Sequence, residues 1–186
     1  GSRPGIGKSF VSVNLAQVLA DAGRRVLLID ADVRKGRLHR YFGVKREGGL
    51  SELIAGAELE PLLHKPSANL HFLSSGAIPP NPSELLSSDR FAELVTELQK
   101  AYDLIVMDAP PVLAVTDAAL IGRLAGVNLL VVKCGLHPIR EIAAAVTRLE
   151  HSGARPNGFV FNAVPLRGGR YDGYGRYRYH YQYDYR

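Results

Sequence analysis

Apolar runs long enough to cross a bilayer are missing from these 186 residues. The longest, at 25–30 and 128–133, fall far short of the roughly 20 residues that a membrane helix requires, so the piece is expected to be soluble. Cysteine is nearly absent. Cys134 alone cannot form an internal disulfide, which fits a reducing compartment. Its place at the end of an apolar run predicts a small buried hydrophobe without a reactive role. No charged-then-apolar leader opens the sequence, and a cytosolic setting is expected. Internal repeats are lacking, which excludes a solenoid. Basic residues are not spread over the chain either. The formal net charge is +5, and residues 165–186 supply +3 of it through five arginines set against Asp172 and Asp184. With a nearly neutral body, no nucleic-acid partner is expected.

What remains is a regular alternation between residues 8 and 165. Short apolar runs at Val26–Asp30, Leu70–Leu73, Leu104–Asp108, Leu129–Lys133 and Gly158–Asn162 have strand length, and helix-like stretches separate them. This is the pattern of an α/β fold, a mostly parallel sheet flanked by helices. Helical spacing of Phe10, Val11, Val13, Leu15, Val18 and Leu19 predicts a helix over 8–22, released near Gly23. Asn81-Pro82-Ser83-Glu84 predicts a helix start, with Asn81 as N-cap and Glu84 closing a capping box. That helical region is expected to run towards Tyr102 with a break at Ser87-Ser88. A last helix is predicted over 138–152, stopped by Gly153. Two domains of behaviour follow: a folded unit over 1–164 and, over 165–186, a Gly-, Arg- and Tyr-rich tail that lacks apolar residues to offset its ordering entropy.

The first helix opens at Gly1-Ser2-Arg3-Pro4-Gly5-Ile6-Gly7-Lys8-Ser9, which resembles a phosphate-binding loop. In such a loop backbone N–H groups and a helix N-terminus surround a polyphosphate, Lys reaches the β- and γ-phosphates, and the hydroxyl that follows meets magnesium. The strict pattern sets its first glycine where Ser2 stands. Val26-Leu27-Leu28-Ile29-Asp30-Ala31-Asp32 ends one strand in two carboxylates, and Leu104-Ile105-Val106-Met107-Asp108 ends another in one. Ligands of open α/β sheets bind beyond the carboxyl ends of strands, so all three belong on one rim. Three carboxylates beside phosphates would repel one another without a cation. The competing reading is that each aspartate merely caps a loop.

Together these clusters resemble the Walker A, A′ and B motifs of bacterial tyrosine kinases, the cytoplasmic domains of polysaccharide co-polymerases. The resemblance extends to Pro79–Leu86, to Asp108–Asp117 and to the terminal tyrosines. It implies a P-loop NTPase fold of the partition-ATPase type, with ATP and Mg2+ as cofactors. Gly5, Ile6, Gly7, Lys8, Ser9 and Phe10 would contact the nucleotide, and Ser9, Asp32 and Asp108 would hold magnesium. Lys8 and Asp30 would be catalytic, Asp30 orienting or deprotonating a tyrosine hydroxyl. Asp117 matches a family position or caps the helix after it. Arg34 and Arg37 are expected as contacts to phosphate or a neighbouring subunit, or as solvated surface. A phosphate-binding loop follows a strand, and that strand is missing from this sequence. The resemblance further implies a ring-shaped homo-oligomer through tail docking, an upstream membrane portion that tethers a cytoplasmic domain to the inner membrane, and a cognate phosphotyrosine phosphatase.

Tyr171, Tyr174, Tyr177, Tyr179, Tyr181, Tyr183 and Tyr185 are seven of the nine tyrosines. Beside a phosphoryl-transfer site they read as phosphoacceptors, with a nucleic-acid-stacking tail as the rival reading. The tail extended spans about 70 Å, enough to reach a neighbour's site. Two other functions compete. A partition or septum-positioning ATPase shares the fold and the clusters, but carries lysine where Arg3 stands and glycine where Pro4 stands. A nucleotide-gated scaffold would bind ATP and catalyse little.

Overall fold

The structure is a computed structural model that describes residues 2–165. The seven tail tyrosines lie outside the described residues. In chain order the elements are α1 (Lys8–Asp21), β1 (Val26–Asp30), α2 (His39–Phe42), α3 (Leu50–Ile54), a 3-10 turn at Glu60–Leu62, β2 (Leu70–Leu73), α4 (Pro82–Ser87) and α5 (Asp89–Ala101). β3 (Leu104–Asp108), α6 (Asp117–Leu124), β4 (Leu129–Lys133), α7 (Ile139–His151) and β5 (Gly158–Asn162) complete it. Strands and helices alternate as the sequence predicts, and every paired strand is parallel. No described helix is long and apolar enough to cross a membrane.

β1 is the middle strand of a three-stranded sheet ordered β2-β1-β3. Its five residues are all fully buried, as befits a strand whose two faces are both covered. Alternation divides them: Leu27 and Ile29 join α3, α5 and α6 on one face, while Val26 and Leu28 join Ala16 and Ala20 of α1 and Phe72 of β2 on the other. β4 and β5 pair separately, and β4 packs on α6 and α7 around Leu130, Ala145 and Leu149.

β3 and β4 do not pair. Between them runs an apolar groove of about 290 Å3, lined by Val11 and Leu15 of α1, Leu104 and Val106 of β3, and Leu129 and Val131 of β4. Leu104 and Leu129 are 39% and 47% exposed. The groove has the character of a strand position, flanked on each side by a strand edge with no partner among the described residues.

Three local expectations change. Asn81 is the residue before α4, but its side chain caps no backbone N–H; its Nδ2 donates to Glu84 Oε2 at 2.8 Å, so the capping box does not form. The break does fall at Ser88, an extended residue whose hydroxyl accepts the Phe91 N–H and starts α5. Cys134 is exposed rather than buried, because β4 ends at Lys133 and the chain turns out of the sheet there. Asp117 is the first residue of α6 rather than its cap, a place held by Thr116, and its side chain serves another partner.

Candidate nucleotide and metal site

The loop before α1 turns through left-handed Gly5 (φ 73°) and Gly7 (φ 91°), a conformation costly to any residue with a Cβ. Gly7 is forced twice over. Asn162, at the end of β5, donates its Nδ2 to the Ile6 carbonyl at 2.8 Å, and a Cβ on Gly7 would meet that Nδ2 at 2.0 Å. No side chain caps α1, so its first N–H groups are left for an anion. Of the remaining loop residues expected at the nucleotide, Ile6 is buried, whereas Phe10 points outward at 54% exposure.

Lys8 directs its Nζ to the Arg3 carbonyl at 3.4 Å. Burial lowers its pKa, while Asp108 and Asp32 pull it back up. Arg3 itself is held on its own chain, its Nε donating to Glu141 Oε1 of α7 at 2.8 Å. The Glu141 carboxyl sits below its usual range, chiefly through the Ser2 hydroxyl and then through Arg3. Thus both ends of the loop are tied down, one to β5 and one to α7.

Asp30 and Asp108 are register partners at the ends of adjacent strands, and the Ala31 N–H donates to the Asp108 carbonyl at 2.9 Å. Ser9 Oγ donates to Asp108 Oδ2 at 2.6 Å and Ser12 Oγ to Oδ1 at 3.0 Å. Burial raises the Asp108 pKa and the two hydroxyls oppose it. Sequence reasoning found Ser9 and missed Ser12; the signal was there, since i and i+3 share a helix face.

Asp30 is fully buried. Its Oδ1 accepts the Asp32 N–H at 3.3 Å and its Oδ2 the Leu38 N–H at 3.0 Å. Burial pushes its carboxyl up to about 7 against those two hydrogen bonds, with Asp108 and Asp32 adding like-charge repulsion. Gly36 lies across it so closely that a Cβ would stand 2.5 Å from Oδ2. Asp32 is half-buried and accepts the Lys35 N–H at 2.9 Å. Arg34, its side chain still 36% exposed, forms a two-pronged pair with Asp117, 1% exposed, and a hydrogen bond to Ser83, while Arg37 is exposed.

A magnesium ion suits this donor set. Mg2+ takes one or two protein oxygens and fills its remaining positions with phosphate oxygens and water, and Ser9 and Asp108 are already in contact. Among the described residues no three acidic, His or Cys side chains converge as a self-sufficient metal cage.

Residues 2–151 match the model of a family described as AAA domain. The tyrosine-protein kinase Wzc of Salmonella typhimurium is 42% identical over 99% of this chain. The solved kinase domain of Escherichia coli tyrosine kinase ETK is 42% identical, with a TM-score of 0.87, and the alignment covers 95% of this chain and 70% of that one. This chain belongs to the bacterial tyrosine-kinase family. Its fold extends to the septum site-determining protein MinD of Pyrococcus horikoshii, solved with Mg-ADP, at 25% identity and a TM-score of 0.69 over 86% of this chain and 66% of that one. The kinase-family chain spans 26% of the length of Wzc.

Proposed function

We propose that residues 2–165 form the catalytic unit of an ATP- and Mg2+-dependent protein-tyrosine autokinase, and that its substrates are Tyr171, Tyr174, Tyr177, Tyr179, Tyr181, Tyr183 and Tyr185 of a neighbouring copy. The contact that carries the reading is Ser9 on Asp108, which couples the loop serine to the strand-end carboxylate beside Lys8. Family membership supports the choice of tyrosine as acceptor.

In this reading the loop N–H groups of Gly5, Ile6, Gly7, Lys8, Ser9 and Phe10 hold the phosphates, with Phe10 contributing backbone alone. Lys8 bears on the β- and γ-phosphates as a fixed cation. Ser9, Asp32 and Asp108 would hold a magnesium ion, whose charge would offset that of the phosphates and carboxylates around it. A phenol of pKa about 10 is a poor nucleophile at neutral pH. Asp30, with a carboxyl near 7, is matched to accept its proton. The phenol oxygen bonds to the γ-phosphorus as the bridge to the β-phosphate breaks, and ADP leaves. Because Gly36 covers Asp30, the part of the turn around Gly36 shifts to admit the substrate.

The larger setting belongs to the same proposal: a cytoplasmic domain tethered to the inner membrane through a part of the protein outside this chain, a ring of copies joined by docked tails, a phosphotyrosine phosphatase that resets them, and control of exopolysaccharide or capsule polymerisation. Incubating the full-length protein with γ-labelled ATP tests it. Label on tyrosine supports the kinase. Label as free phosphate alone favours a MinD-like ATPase, and label left on ATP favours a scaffold.

A further inference from the structure

The Arg34–Asp117 pair has no part in phosphate binding as described above, yet it is two-pronged and its carboxylate is almost fully buried. Arg34 Nε donates to Asp117 Oδ2 at 2.6 Å and its terminal nitrogen to Oδ1 at 3.2 Å. That same nitrogen donates to Ser83 Oγ at 2.9 Å, and Ser83 in turn donates to Asp117 Oδ1 at 2.9 Å. Three segments far apart in sequence close a ring of hydrogen bonds: the turn after β1, the start of α4 and the start of α6. Asp117 is 1% exposed and sits in the first turn of α6, where the helix field favours a carboxylate.

What the pair joins gives it meaning. Arg34 stands two residues beyond Asp32, on the turn that covers Asp30. Asp117 ends the loop that leaves Asp108. The strand ladder fixes these chains only as far as Asp30 and Asp108, with one further bond from the Ala31 N–H to the Asp108 carbonyl. Past that point the turn at 32–38 is steadied by the Asp32 and Leu38 N–H groups on Asp30, by the Gly36 N–H on the Asp32 carbonyl, by Asp32 on the Lys35 N–H, by Arg46 on the Val33 carbonyl at 2.8 Å, and by Arg34. Of these only Arg34 reaches across to the segment carrying Asp108. A buried ion pair adds little net stability over an apolar substitute, but its fixed fork geometry sets position well.

We propose that Arg34, Asp117 and Ser83 form a clamp that sets the distance between Asp32 and Asp108, so that Arg34 and Asp117 are positioning residues for magnesium. This rests on the reading of the site as a magnesium–nucleotide site. Groups that orient metal ligands from behind typically change metal affinity about 10–100-fold when removed. Acting through the backbone, this clamp belongs at the lower end of that range.

The test is binding of a fluorescent ADP analogue to the full-length protein, titrated with Mg2+ and repeated in EDTA. Wild type without any Mg2+ dependence would defeat the underlying reading and not the clamp alone. Given a Mg2+-dependent wild type, Asp117→Asn and Arg34→Met should each raise the half-saturating Mg2+ concentration roughly tenfold and leave affinity in EDTA unchanged. Arg34→Met/Asp117→Asn should be no worse than the worse single variant, since both remove one interaction. Arg34→Lys should recover part of the loss, lacking the fork. Should Asp117→Asn fail to fold, Ser83→Ala provides the second measure, with a smaller shift in the same direction. An unchanged Mg2+ midpoint in the folded variants overturns the clamp, as does an equal loss of nucleotide affinity with and without Mg2+, which would make the cluster a support of the fold alone.

Discussion

The two sheets of this molecule differ in how completely they are enclosed. In the three-stranded sheet, β1 is buried along its whole length between helices on both faces. In the two-stranded sheet Leu130 of β4 packs on α6 and α7, while Phe159 and Phe161 of the outer strand β5 are 48% and 66% exposed and Leu129 is 47% exposed. The carboxylates Asp30, Asp32 and Asp108 all issue from the enclosed sheet. The open one contributes a single polar arm, Asn162, to the phosphate loop. Chemistry that depends on carboxylate spacing is thus rooted where the backbone is most constrained, and the open half steadies the loop from outside.

The largest expected effect belongs to the loop cation. Lys8→Met should lower phosphotyrosine formation by the full-length protein at least about 100-fold without changing its melting temperature appreciably; undiminished labelling would remove the loop from the reaction. Next comes the contrast in packing. Phe72→Ala, in the enclosed half, should cost about 3–5 kcal/mol in denaturant unfolding, whereas Phe161→Ala in this chain should cost less than about 0.5 kcal/mol. Equal costs would mean that β5 is enclosed after all. A smaller effect is expected of Asn162→Ala, which loses the hydrogen bond to the Ile6 carbonyl, worth about 1 kcal/mol, and the one from the Ala163 N–H, and should weaken ADP binding a few-fold with the Mg2+ midpoint unchanged. A shifted midpoint would show that the open half also sets metal geometry.

The remaining prediction concerns the pH dependence of folding. Asp30 has a folded-state carboxyl near 7, above the value of about 3.9 for an unfolded aspartate. The folded state therefore holds the extra proton, and stability from this group is greatest below about pH 4. It declines as pH rises from there to about 7 and is level above. Asp30→Asn should flatten that part of the melting-temperature profile. An unaltered slope would mean that another group carries it.

The strands were legible because each is a short unbroken apolar run, and all five occupy the positions those runs predict. The phosphate loop and the strand-end aspartates were equally plain, since local spacing alone defines them. Between residues 39 and 62 the sequence offered no assignment, and two short helices and a 3-10 turn lie there; none is long enough to show a helical period. Arg34 with Asp117 was illegible for another reason. The partners are 83 residues apart, and nothing local to either distinguishes an ion pair from a solvated arginine and a helix cap. Asn162 likewise reads as an ordinary strand-end residue until the fold sets it against Gly7. Cys134 misled because the apolar run before it suggested continued burial, where the strand in fact stops one residue short.

The most direct test is complementation between copies of the full-length protein. One copy carries Lys8→Met and an intact tail; the other has a working loop but ends at residue 165. Mixed with γ-labelled ATP and Mg2+, the pair should place label on Tyr171–Tyr185 of the Lys8→Met copy, although neither protein labels itself alone. Release of free phosphate with no label on that copy would contradict the account.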